Sequence, residues 1–397
     1  MKHLSLGKLF SSKYLATFYL ILMCVQIVFI EGYAISPVKV AAMALAPFIC
    51  IIKVPYLTRA LIVGLIYLFI IFFCAMTKLY VRFSTIGYLA MFVFTFIFFY
   101  NLIYTGAFTI DYFIKLLRYL ILGYFICLVL QQLSILVGIR YFPIINLTNQ
   151  FFLSIAKLPS LSIEPSHTAR ILCVSFYIYL KCNEFKNGAA IPFKQLLKGE
   201  HKWVTIGFLW VMLTMGSGTA FIGLIILSLY FIRKEYLVYI VPLFIILYIS
   251  MPYMGLTQLD RAINVLSATM ERDNEVIAKA DGSASVRIIP ILNTINNLDL
   301  TKSETWFGYG TDYGVQNKAE RMIAEITDYG LFAYIGGLIL VFSCSIRFWS
   351  LGTLMYFTGI GGGTANIAYQ WGILMLFICM RYFYDNRWIN RQKDVSG

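Results

Sequence analysis

A chain of 397 residues that is 60% hydrophobic, 17% aromatic and only 13% charged departs from soluble globular proteins, whose apolar share is about 45–50%. Repeated apolar runs near the roughly 17 to 25 residues needed to cross a bilayer, divided by short charged punctuation, predict an all-α polytopic membrane protein. Helices are expected because lipid offers unpaired backbone groups no partner except in helices or closed barrels, and these runs lack the alternating polar face of a barrel.

The N-terminal tip carries Lys2, Lys8 and Lys13, and the positive-inside rule assigns it to the cytoplasm. The first apolar run has no small-residue cleavage site, so it reads as a retained helix rather than a signal. Hydropathy gives about twelve spans, at 14–30, 38–52, 60–77, 85–104, 116–138, 169–180, 203–216, 219–232, 237–251, 329–346, 349–361 and 367–380. Nine of them fall in 1–251 with an outer loop at 139–168; a large outer loop fills 252–328; the last three and a cytoplasmic tail complete 329–397. Short loops then carry 19 lysines and arginines inside against 6 outside, which supports both termini as cytoplasmic. The lysine-bearing loop 181–202 is expected to meet anionic lipid heads. The eight cysteines all lie in or beside apolar runs and form no CxxC pair, so neither a disulfide framework nor a metal site is expected from them.

The polar interval 252–328 holds 11 of the 19 acidic and 7 of the 32 basic residues, and so belongs in water. With the shorter stretch Glu164-Pro165-Ser166-His167-Thr168-Ala169-Arg170 it reads as the wall of an active site over a membrane-buried cavity. Glu164, His167 and Arg170 are spaced by three and share a face if the turn is helical, offering an acid, an imidazole and a permanent cation to one ligand. The plainer alternative is that Arg170 snorkels to lipid phosphate. Arg287 precedes an apolar patch, and its planar fork suits bidentate capture of pyrophosphate; the alternative is a surface pair with Asp281 or Glu275. Arg321, beside Glu320, is the third candidate cation. The Gly216-Ser217-Gly218-Thr219 break suits either close helix packing or a turn presenting N–H groups to an anion, and Gly361-Gly362-Gly363 reads as structural. Asp273-Asn274-Glu275 is a poor divalent-cation site. Without a P-loop, a His-Glu-x-x-His helix or a nucleophile elbow, nucleotide hydrolysis and serine or zinc proteolysis are not expected. No cofactor and no nucleic-acid partner is expected.

Taken in order, Gly-Ser-Gly-Thr-Ala at 216–220, Ser-x-x-x-Arg at 283–287, Gly-Tyr-Gly at 308–310 and Glu-Ile-Thr-Asp-Tyr-Gly-Leu at 325–331 resemble the O-antigen polymerase and O-antigen ligase superfamily. The Glu164 to Arg170 stretch also looks like the first outer loop of the polymerases. The resemblance implies a GT-C-like glycosyltransferase of the bacterial inner membrane that works at its outer, periplasmic face. It would join undecaprenyl-pyrophosphate-linked repeat units, with donor and acceptor glycans, membrane lipids and a chain-length regulator as partners. It further implies that Arg170 and Arg287 hold the pyrophosphate; Arg321 is a third candidate contact, and if a general base is needed the candidates are Glu164, His167 and Glu320. The ligases' histidine is replaced by the run Ala319-Glu320-Arg321, which favours polymerase over ligase. An O-antigen ligase, a related exopolysaccharide polymerase or a flippase for the same lipid-linked glycans is the competing reading; a flippase is expected to carry charges within its spans.

Overall fold

The computed structural model describes residues 11–26, 36–53, 57–78, 82–140, 157–232, 282–311, 313–317 and 321–396. Within them the chain is helical, with no strand. The helices used below are α1 (Ser12–Cys24), α2 (Pro37–Lys53), α3 (Arg59–Met76), α4 (Phe83–Tyr104), α5 (Ile110–Leu136), α6 (Pro165–Asn187), α7 (Lys202–Thr214) and α8 (Gly218–Ser228). They continue with α9 (Gly282–Asn297), α10 (Ser303–Phe307), α11 (Ala324–Cys344), α12 (Leu351–Phe357) and α13 (Ala368–Ser396). Among the described residues α3, α4, α5 and α11 are long and apolar enough to cross a membrane, and α1, α8 and most of α2 are shorter apolar helices.

Local chemistry sets several helix ends. Thr58 and Thr109 cap α3 and α5 by accepting from the backbone N–H of Leu61 and Tyr112, each at 3.3 Å, which satisfies a donor that the first turn leaves orphaned. Pro165 starts α6, where its missing N–H costs nothing, and left-handed Gly188 stops it.

The helices pack in registers that can be read from their contacts. Arg170 meets Tyr369, Tyr177 meets Phe377 and Phe185 meets Tyr384. The nearly constant sequence offset makes α6 and α13 parallel neighbours. By contrast, α3 and α11 run antiparallel: the Arg59 guanidinium donates to the Ser343 carbonyl at 3.4 Å, and a side chain at Gly336 would stand 3.3 Å from the Tyr67 ring. Phe92 and Phe96 of α4 enclose the fully buried Trp371 of α13. On another side of α13, Gly372 lets the backbone of α1 approach, since a Cβ there would lie 3.0 Å from the Met23 carbonyl carbon. These contacts give the bundle two ends. One holds the N-termini of α4, α6, α11 and α13 and is called here the Arg170 end. The other holds Lys181, the last turn of α11 and Arg381.

Most expected spans coincide with helices, and three regions differ. The run 329–346 belongs to a helix that begins at Ala324 and breaks at Gly330, whose φ of 83° and ψ of 178° interrupt it. The run 349–361 is not a crossing helix: α12 has seven residues, a rise of about 10 Å, and irregular backbone follows to residue 367. The chain still returns from the Lys181 end to the Arg170 end there, because Leu351 lines a cavity with Lys181 while Tyr369 touches Arg170. Within the polar interval, residues 282–307 form α9 and α10. The expected span 237–251 and the interval from 252 to 281 lie outside the described residues.

Candidate active site

The entry to α6 is fixed by a clasp of buried polar groups. Ser160 adopts φ 55°, a left-handed backbone that a serine visits only with support. Gln131 of α5 supplies it: its amide accepts from the Ser160 N–H at 2.9 Å and donates to the Ser160 carbonyl at 3.0 Å. The Ser160 hydroxyl donates to the Tyr124 carbonyl at 2.6 Å, and the Tyr124 hydroxyl in turn donates to the Cys24 carbonyl at 2.7 Å. Thr168 closes the turn by donating to the carbonyl of Pro159. Each such bond nets about 1 kcal/mol, but a buried member left without its partner costs about 1–3 kcal/mol. The clasp therefore holds α1, α5 and the start of α6 as one unit.

That unit presents Glu164, His167 and Arg170 on one face, as their spacing predicts. The His167 imidazole lies 3.7 Å from a Glu164 carboxylate oxygen, an ion pair when the ring is protonated, and Ser166 donates to the same oxygen at 3.2 Å. Both His167 and Arg170 converge on Tyr369 of α13. The imidazole stacks on its ring with centroids 4.1 Å apart, and the guanidinium donates to its hydroxyl at 2.6 Å. Arg170 is half-buried, and its Nε, fully buried, has no hydrogen-bond partner among the described residues. Arginine carries five donors and cannot shed its charge, so this side chain has an unmet demand for an acceptor.

Irregular backbone adjoins it. A Cβ on Gly359 would stand 4.0 Å from Arg170 Nη2, and the buried residues Ile360 and Thr364 follow in the same unwound stretch. Thr364 approaches Gly337 of α11 so closely that a Cβ there would lie 2.9 Å from its hydroxyl. Non-helical backbone among apolar helices persists where protein covers it or where it lines a cavity. On the other flank, Cys173 donates to the Gly223 carbonyl at 3.3 Å, and the same offset brings the Gly216–Thr219 break level with Arg170. Gly216 has φ 68°, and Ser217 and Thr219 are buried.

Arg321 packs against α9. Its carbonyl accepts from Asn293 of α9 at 3.1 Å, and the neighbouring Ile323 N–H donates to Thr294 at 2.9 Å. Its side chain covers Gly314, where a Cβ would lie 3.3 Å from the Arg321 Nε. Arg287 lies in α9, and its side chain is outside the described residues, as are Glu320 and the Asp273-Asn274-Glu275 run. Their place relative to Arg170 is therefore not part of the site described. Among the described residues no group of three or more His, Cys, Asp or Glu side chains forms a metal-binding cluster.

The Gly308-Tyr309-Gly310 and Asp328-Tyr329-Gly330 segments interlock. The Tyr309 N–H donates to the Thr327 carbonyl at 2.8 Å. A Cβ at Gly330 would sit 2.2 Å from the Trp306 carbonyl oxygen, and one at Gly308 2.6 Å from that of Asp328. Both glycines have φ near 80°, so bulk and conformation alike forbid a side chain.

Two residues escaped the reading of the sequence. Tyr369 is one of 28 tyrosines and lies 199 positions from its partner; only its place just after the triple-glycine turn hinted at a role. Lys39 is a buried cation that donates to the Val25 carbonyl at 3.2 Å, and its position within an apolar run was the available signal. Compared with protein-family models, curated proteins and solved structures, the chain matches none.

Proposed function

We propose that the protein is a polymerase of lipid-linked glycans, of the O-antigen polymerase type, with about twelve membrane crossings in a GT-C-like arrangement. Its termini are cytoplasmic and its Arg170 end faces the periplasm of a bacterial inner membrane. The observation that carries this reading is the half-buried Arg170 guanidinium, held by Tyr369, with a donor that no atom of the described residues satisfies, beside the unwound stretch 358–367. A pyrophosphate oxygen is the acceptor such a cation suits.

In the proposed reaction the terminal sugar hydroxyl of a newly arrived unit attacks the anomeric carbon of the growing glycan. The new glycosidic bond forms as the bond from that carbon to the pyrophosphate oxygen breaks, and undecaprenyl pyrophosphate departs with the electron pair. A single displacement inverts the anomeric centre. Charge develops on the departing phosphate oxygens, where the fixed cation Arg170 lowers the barrier, joined by Arg287 and Arg321. The His167–Glu164 pair takes the hydroxyl proton; a base must stand within hydrogen-bond reach of it, and this pair adjoins Arg170.

The test is the ladder of lipopolysaccharide chain lengths in cells carrying the matching sugar cluster. Deletion should remove the ladder and retain lipid capped with a single unit, and Arg170→Lys should do the same, because an ammonium cannot reproduce the bidentate fork. A normal ladder in Arg170→Lys cells defeats the reading, and complete loss of capping on deletion indicates a ligase instead.

A further inference from the structure

At the opposite end of the α6–α13 pair, eleven residues or about 16 Å of helix from Arg170, lies a cavity of about 500 Å³. Its wall includes Lys181, Glu184, Arg347, Trp349, Arg381 and Tyr384. The volume falls within the range of small-ligand pockets, about 300–1,000 Å³. Its charges resolve into pairs with one exception. Lys181 donates to both oxygens of Glu184, at 3.1 and 2.9 Å. Arg381 donates to the Phe342 carbonyl at 2.7 Å and lies 3.8 Å from Asp385. Arg347 has no carboxylate partner among the described residues; its guanidinium stacks 3.6 Å from the centre of the Tyr384 ring. Stacking engages the face of a guanidinium and leaves the N–H groups at its edge open to a ligand. Among the described residues one positive charge is thus left uncompensated in a half-enclosed, aromatic-walled site.

The turn that carries Arg347 is built to hold it there. Its carbonyl accepts from the hydroxyls of Ser350 at 2.6 Å and Thr353 at 2.9 Å, which ties the start of α12 to it. Two residues on, Trp349 adopts φ 58°, a conformation costly for a bulky side chain, and is 93% exposed beside the exposed Phe348. Strain spent on keeping an indole out of the protein makes sense where a bilayer interface receives it, since tryptophan concentrates at headgroup level.

We propose that this cavity binds the phosphodiester head of an anionic glycerophospholipid. Arg347 meets the phosphate, Tyr384 fixes the guanidinium plane, and Trp349 and Phe348 lie along the glycerol and upper acyl region. The single uncompensated cation matches the single negative charge of a phosphodiester, and basic pockets between membrane helices select such heads over zwitterionic ones. Nothing in this site depends on the chemistry assigned to the Arg170 end.

The full chain in micelles tests this through Trp349 fluorescence, isolated by difference from Trp349→Phe. Dibrominated phosphatidylglycerol is expected to quench it at about tenfold lower mole fraction than dibrominated phosphatidylcholine, the value of one charge-assisted hydrogen bond. Arg347→Gln should erase that preference, and Arg347→Lys should keep part of it. Millimolar inorganic phosphate should leave the quenching unchanged. Equal quenching by both lipids, or a preference that persists in Arg347→Gln, overturns the proposal, and displacement by inorganic phosphate assigns the site to free phosphate instead. Should Arg347→Gln lose its thermal unfolding transition, the wild-type preference and its reduction in Arg347→Lys decide.

Discussion

The Tyr369 hydroxyl accepts a 2.6 Å hydrogen bond from the Arg170 guanidinium while its ring carries the stacked His167 imidazole. One side chain thus orients both a candidate pyrophosphate clamp and a candidate base. A hydrogen bond to a charged group is worth about 1.5–3 kcal/mol. Tyr369→Phe retains the stacking surface and removes only that bond. Chain extension is expected to slow by about ten- to a hundredfold, with the thermal unfolding midpoint little changed. Unaltered extension would show that Arg170 does not need this orientation.

Gly330 and Gly308 each face the other segment's backbone, so their substitution should unfold rather than tune the protein. Gly330→Ala places a Cβ 2.2 Å from the Trp306 carbonyl oxygen in a left-handed conformation, and is expected to cost upwards of about 3 kcal/mol. Gly87, inside α4, has nothing within 4 Å of a would-be Cβ, and Gly87→Ala should stabilise by about 0.5–1 kcal/mol. Thermal unfolding in detergent compares the two directly.

Gln131→Leu should reveal the clasp at the entry to α6. It strands the N–H and carbonyl of Ser160, both buried and both satisfied by Gln131, at about 1–3 kcal/mol each. The expected signature is a lowered unfolding midpoint together with loss of chain extension, because the same loop sets the position of Glu164 and His167. A stability loss with normal extension would separate the clasp from the site.

His201, in the turn Gly199–His201 outside the long helices, shares a 2.6 Å hydrogen bond with the Tyr179 hydroxyl. Burial holds its pKa below the ordinary 6.5, with Glu200 opposing and Arg118 reinforcing the shift. The folded state therefore binds this proton less readily than the unfolded chain. Stability from this group is complete above about pH 6.5 and is lost as pH falls below it. The unfolding midpoint measured from pH 8 to pH 5 should fall less steeply in His201→Asn than in wild type; parallel curves would contradict this.

The long apolar runs were readable because composition alone identifies a helix such as α4, and the spacing of Glu164, His167 and Arg170 was readable because helical periodicity is local. What escaped was non-local or depended on a broken pattern. Residues 349–361 have the composition of a span, yet the glycines at 359 and 361–363 stop α12 after two turns. Tyr369 became recognisable only when parallel packing of α6 and α13 brought it to Arg170. The docking of residues 321–323 on α9 is likewise a placement that no sequence period encodes.

In the proposed reaction the Arg170 guanidinium stabilises a departing lipid pyrophosphate. The most direct measurement uses the purified full chain in lipid vesicles with undecaprenyl-pyrophosphate-linked repeat units, following release of undecaprenyl pyrophosphate alongside glycan length. One lipid pyrophosphate should appear for each linkage formed, and Arg170→Lys should lower that rate at least about a hundredfold, the scale of one lost transition-state contact, while the protein stays folded. Release at the wild-type rate in Arg170→Lys, or no linkage-coupled release by the wild-type protein, would contradict the account.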